Sequence, residues 1–135
     1  MGCWNTGLQS FQKWNIGNTL RTIMLADASI IEQVGDNIYP IIASEKTEGD
    51  FIVYRRATYS KASVKMGVYE DKCEVGIVAI CDDYDKSVEL ASKIDNALTG
   101  KHVLENGYKL EIMLSDSTEM YEDNKYVQTL MFTIK

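Results

Sequence analysis

The sequence predicts a single α+β domain, a mixed, mostly antiparallel sheet of about four to five strands with helices packed mainly on one face. Three observations predict it. Helical spacing of apolar residues is confined to short stretches, strand-like segments gather around them, and the order is helix, short helix, extended segment, two strands, helix, two strands. That order lacks the repeated strand-helix-strand rhythm of a fully parallel sheet. The length of 135 residues suits one domain, and 45% hydrophobic with 25% charged residues is the balance of a globular chain that builds an apolar core without staples.

Residues 1–17 read as an N-terminal extension to a domain over residues 18–135. In the extension, Leu8, Phe11 and Trp14 could seat one side of a short helix, but Gly7 and Gly17 bracket them, so a frayed or partner-dependent lead-in is expected. Asn18 is a good N-cap for a helix through Leu20, Ile23, Met24 and Ala26 that ends near Asp27. Asp27 in turn caps a short helix buried along Ile30, Ile31 and Val34, which Gly35 stops in a left-handed conformation. Pro40 pushes the residues before it out of the helical region, so Asn37–Pro40 is extended, and a polar loop, Ser44 to Asp50, follows.

Phe51 to Ser60 reads as a strand with both faces partly covered. Ser60 to Gly67 has no tight-turn dipeptide and is expected to be a long hairpin arm, with pairing resumed by Tyr69. Asp71 to Cys81 is the central strand, because Val75–Ile80 shows no polar alternation and so suggests burial on both faces. Asp82 or Asp83 caps the best helix, in which Tyr84, Val88, Ala91, Ile94 and Leu98 form the apolar face and Gly100 closes the element. Tyr108 to Ser115 and Lys125 to Ile134 complete the sheet as two strands joined by an acidic loop.

Bulk charge and hydropathy exclude several function classes. A net charge of −6 and a pI near 4.8 oppose approach to a phosphate backbone, which argues against DNA wrapping or specific nucleic-acid binding. The apolar runs Val75–Ile80 and Leu130–Phe132 fall far short of the ~20 residues that span a bilayer, so no membrane role is expected. Met1-Gly2-Cys3-Trp4-Asn5-Thr6 matches a short myristoylation pattern, with Cys3 placed as a palmitoyl acceptor, but so short a pattern reads more plainly as a loose extension. Cys3, Cys73 and Cys81 are an odd set without C-x-x-C spacing, as a reduced, cytoplasmic protein carries.

The residues that could carry chemistry all have simpler readings. His102, the single histidine, follows Gly100-Lys101 in an expected loop, and solvated loop residue outweighs general base. Cys73 and Cys81 share a strand face too far apart to bond and suit small buried hydrophobes, and with one dispersed histidine they make no tetrahedral zinc set. The Asp82-Asp83 pair is explained by helix capping before acid/base catalysis. No phosphate-binding glycine loop occurs, and the eight tyrosines are not interleaved with a basic stripe. No catalytic residue, metal or cofactor is therefore expected.

Against this background, Leu20–Ala28, then Val34-Gly35-Asp36-Asn37-Ile38-Tyr39-Pro40, then Phe51–Arg55 resemble the first half of the tail completion (tail terminator) proteins of tailed bacteriophages. The strand Val75–Ile80, the Tyr-led helix Tyr84 to Leu98 and the closing strand Tyr126 to Ile134 are similar to the second half, and residues 1–17 lie outside the resemblance. It implies a non-enzymatic subunit that forms a homo-oligomeric ring, typically a hexamer, at the head-proximal end of the tail tube. Its partners would be itself, the tail tube protein and the head connector or neck protein, in the bacterial cytoplasm during assembly and then in the virion tail.

A ring needs a patch on one subunit that meets a different patch on the next. Tyr59, Val64, Met66, Val68 and Tyr69, on or beside the hairpin arm, have no evident local partner and are candidates to reach a neighbour. Asp116, Glu119, Glu122 and Asp123 could line the central passage, where like charge discourages adhesion of DNA in transit, although a solvated loop is the favoured reading of these acids. The rival readings are a neck or stopper subunit, a cytosolic protein-binding adaptor that stays monomeric, and a small α+β ligand-binding domain or enzyme with a concave polar pocket.

Overall fold

Asn15, three residues earlier than expected, is the N-cap of α1 (Ile16–Leu25) in the computed structural model, which describes residues 14–43, 49–63, 69–104, 107 and 109–134. Residues 59–63 and 69–72 are described by backbone alone. Gly17 does not end a segment but lies inside this helix, and an added Cβ would meet the Tyr54 ring at 3.1 Å, so the glycine sets the approach of helix to sheet. Asn18, the expected cap, instead accepts a 3.0 Å hydrogen bond from the Tyr54 hydroxyl. Asp27 caps α2 (Ala28–Val34) as its sequence predicts, accepting from the N–H groups of Ser29 (2.9 Å) and Ile30 (3.3 Å), and Gly35 ends it at φ 63°.

The sheet has six strands, more than the four to five expected, because two short edges join it. These are β1 (Ile38–Pro40) and β4 (Gly100–Val103), flanking β2 (Phe51–Ser63), β3 (Tyr69–Cys81), β5 (Lys109–Glu122) and β6 (Lys125–Ile134). Their spatial order is β1-β2-β3-β6-β5-β4. Only β1 with β2 is parallel, so the sheet is mixed and mostly antiparallel. His102 lies in β4, not in a loop, and its Nε2 is 2.7 Å from the Leu98 carbonyl.

The three helices among the described residues share the core on one face of the sheet. Leu20 and Met24 of α1, Ile30 of α2 and Leu90, Ile94 and Leu98 of α3 (Tyr84–Leu98) join Cys73, Val75, Ile77, Ala79 and Cys81 of β3 and Leu130, Phe132 and Ile134 of β6 in one buried cluster. The odd-numbered side chains from Cys73 to Cys81 are wholly buried there, while Glu74, Val78 and Ile80 on the other face are only half covered. Burial on both faces, as the apolar run suggested, is thus realised on one. The other side, helix-free among the described residues, carries Val53, Val78, Val127 and Met131, and Met131 places its sulfur 3.3 Å from where a Gly76 Cβ would stand.

The phase of α3 also differs from expectation. Its buried face is Ser87, Leu90, Ile94 and Leu98, with Tyr84 and Val88 exposed. Ser87 occupies the core because its hydroxyl donates back to the Tyr84 carbonyl at 2.7 Å, which satisfies the buried polar group locally. Asp83 is the N-cap by backbone geometry, its carbonyl accepting from Ser87 N–H at 3.0 Å, without a side-chain cap bond.

Candidate assembly surface

The groups that invited a chemical reading are held by the fold. Cys81 is buried beside Asp50, and burial first, then that carboxylate, pushes its thiol up to about 12, far from a reactive thiolate. Gln33 gathers the polar groups around it, donating to Asp50 at 2.8 Å and to the Lys86 carbonyl at 3.2 Å while accepting from Lys93 at 3.1 Å. Asp82 pairs with Lys125 across the end of the sheet, so the adjacent acids serve separate local roles. Among the described residues, no group of three or more His, Cys, Asp or Glu is placed to hold a metal ion, and no helix is long and apolar enough to cross a membrane.

Both long hairpins extend beyond their short edge strands, and this leaves main-chain groups unpaired. β1 covers β2 only opposite Ile52–Tyr54, and β4 covers β5 only over Lys109–Ile112. Among the described residues, no strand pairs with the outer side of β2 over residues 55–63 or with that of β5 over residues 113–122. Exposed edges of this length are templates for pairing with another chain unless they are blunted.

The expected acidic loop does not exist as a loop. β5 and β6 pair continuously from Ile112↔Ile134 to Glu122↔Lys125 apart from a bulge between Leu114 and Asp116, and Asp123 and Asn124 alone make the turn at φ 52° and 63°. Positive φ at both central residues is the geometry of a two-residue hairpin turn, which Asn and Asp tolerate. The four acids are therefore divided. Glu119 lies on the helix side, accepting from the Tyr84 hydroxyl at 3.0 Å and from Gln128 at 3.0 Å. Asp116 and Glu122 alternate to the helix-free side, and Asp123 is in the turn. Gln128 first, then Tyr84, lowers the Glu119 carboxyl from its usual range, and the same Glu119 contact raises the Tyr84 phenol.

Around Glu119 stands an aromatic cluster. Tyr126 meets Tyr84 edge-on with ring centroids 5.7 Å apart and Tyr121 at 4.8 Å. With Tyr84 43%, Val88 44% and Tyr121 59% exposed, the helix side of this end of the sheet presents apolar and aromatic area suited to a protein partner, while Met120 alternates to the other face. The helical phasing had assigned Tyr84 and Val88 to the core, so this patch was missed. Asp123-Asn124 followed by Tyr126-Val127-Gln128 is the signal that could have disclosed it, a turn dipeptide leading into alternation.

At the opposite end of the sheet, the β2–β3 arm forms as expected and is more regular than expected, its strands pairing out to Ser63↔Tyr69. Of the residues proposed to reach a neighbour, Tyr59 and Tyr69 fall on these strands, whereas Val64, Met66 and Val68 lie outside the described residues. At the arm's base Arg55 is exposed, and Arg56 lies 4.2 Å over the Trp14 ring and donates to the Trp14 carbonyl at 3.2 Å. That contact fixes the start of α1 against the unpaired edge of β2.

No protein-family model and no curated protein sequence matches the chain. Among solved structures, it is similar to a chain of the virion of a native gene transfer agent particle, with a TM-score of 0.72 at 18% sequence identity. The match covers 85% of this chain and 89% of that one, so the likeness takes in nearly the whole domain and establishes a shared fold.

Proposed function

We propose that the chain is a structural subunit of a phage-like virion that assembles into a ring ending the tail tube and docks that tube to the head connector. The observation that carries this reading is the fold shared with a gene transfer agent virion chain over 85% of the sequence. The two unpaired sheet edges support it, because a ring requires two different, complementary patches on each subunit. In this reading the chain binds and does no catalysis. It meets tail tube and connector proteins in the host cytoplasm during assembly and remains in the virion tail. With the helices turned outward, Asp116 and Glu122 on the helix-free side border the passage, and Glu119 faces away from it.

The test is the mass of the purified chain by light scattering across a concentration series, with and without tubes of the tail tube protein. A discrete closed oligomer near six subunits, alone or on tube ends, is the expected result. A chain that stays monomeric throughout and leaves tube growth unchanged overturns the ring reading.

A further inference from the structure

We propose that neighbouring copies of the chain join edge to edge, the unpaired side of β5 over residues 113–122 adding onto the unpaired side of β2 over residues 55–63 to make one continuous sheet. This deepens the ring reading and rests on it. Four features make a second copy the occupant of these edges. The two segments are nearly equal in length, and they lie on opposite lateral edges of the same sheet, so pairing is head-to-tail and leaves a free edge at each end for the next copy. Successive strands β2, β3, β6 and β5 alternate in direction, so β5 of one copy meets β2 of the next antiparallel, continuing the alternation. Their charges are complementary. The β2 edge carries Arg55, Arg56 and Lys61 and no acid, whereas the β5 edge carries Asp116, Glu119 and Glu122 and no base.

The registers of the sheet also say how the copies must be offset. Tyr59, at the middle of the β2 edge, pairs with Cys73, while Thr118, at the middle of the β5 edge, pairs with Thr129, which pairs with Val78. The edges are thus displaced along β3 by the distance from Cys73 to Val78, about 17 Å at the usual rise per strand residue. Each copy adds four strands, or about 19 Å of width, so aligning the edges inclines the strands by about 40° to the ring axis, within the tilt of closed sheets. In that register Arg55 stands opposite Glu122 of the adjoining copy, and β1, paired with Ile52–Tyr54, is level with that copy's Asp123–Asn124 turn, where β5 has ended.

The experiment is disulfide trapping in a Cys3→Ser background, with Arg55→Cys and Glu122→Cys placed in one chain, oxidised over a concentration series and followed by non-reducing gels and light scattering. Both positions are exposed, and circular dichroism checks that the fold is kept. The expected result is a ladder of covalent oligomers from the double variant, a single cross-linked dimer from an equimolar mixture of the two single variants, and no ladder from a control pairing Arg55→Cys with Asp95→Cys on α3. A closed oligomer by light scattering without a ladder overturns edge pairing and leaves the ring reading in place. A ladder that never closes keeps edge pairing and overturns the ring. Absence of both, with tubes of the tail tube protein also present, overturns both. Glu122→Arg alone is expected to shift assembly to at least tenfold higher concentration, with recovery when Arg55→Glu is added in the same chain; equal weakening by both changes without recovery also overturns the pairing.

Discussion

At the scale of single residues, Asp27 shows how a local signal survives folding. Its carboxylate is the cap of α2, and the Ser29 hydroxyl first, with the Ile30 and Ser29 N–H groups, lowers its pKa from the ordinary 3.8. Asp27→Ala is expected to cost about 1 kcal/mol in chemical denaturation, the usual worth of an N-cap, while Asp27→Asn or Asp27→Ser keeps most of it. Because the folded pKa lies below the unfolded value, the stabilisation is complete above about pH 4 and is lost as pH falls through the folded pKa. Denaturation midpoints of wild type and Asp27→Ala should therefore converge on acidification below that pH. Asp27 was legible because capping depends on residues within one helical turn. Asn18 was misread as a cap for the opposite reason, since its partner, Tyr54, lies on another element. Ile41 gave no sequence signal either, a β-branched residue at φ 66° fixed by the Tyr54 carbonyl accepting its N–H at 2.8 Å.

At the scale of elements, α3 separates what periodicity reveals from what it hides. Its existence and limits, Tyr84 to Leu98, follow from spacing and flanking residues, but the series Tyr84, Val88, Ala91, Ile94, Leu98 is one step out of phase with the buried face at its start. A polar Ser87 in the core breaks the hydrophobic pattern, and a Tyr whose hydroxyl reaches Glu119 imitates it. Leu90→Ala is expected to lower stability by about 2–5 kcal/mol, the range for emptying a fully buried leucine site, whereas Val88→Ala should fall within about 0.5 kcal/mol of wild type. If unfolding curves showed Val88→Ala to be the costlier change, the phase described for α3 would be wrong. The same reasoning explains the acidic segment. Asp116 to Glu122 looked like a loop because strand composition is judged by apolar alternation, yet an edge strand that borders solvent on one side can be rich in Ser, Thr and acids and keep its pairing. Its Tyr84 contact comes from an element distant in sequence, so no local pattern announces it, whereas Gln128 and Tyr126 lie just across the Asp123–Asn124 turn.

At the scale of the whole molecule, the sheet is anchored at its middle and free at two diagonal corners. β3 and β6 run side by side from Cys73↔Ile134 to Cys81↔Tyr126 under the three described helices, while the β2–β3 arm reaches past β6 and β5 leaves its outer side bare at the other end. Amide exchange should mirror this arrangement. The N–H groups of Val75–Ala79 and Leu130–Phe132 lie in the fully packed centre and are expected to exchange only through global unfolding, at a single free energy. Those of residues 59–63 belong to the two-stranded arm that runs past β6, and those of residues 120–124 to the uncovered edge strand and its turn, so both should exchange through local opening in dilute protein, where no neighbour completes their hydrogen bonding. Raising the concentration into the assembling range should slow exchange at these two corners together, with the centre unchanged, because one pairing event covers both edges. Protection that appeared at the β2 corner alone would mean that the arm binds some other surface of its neighbour and that β5 remains open to solvent in the assembly.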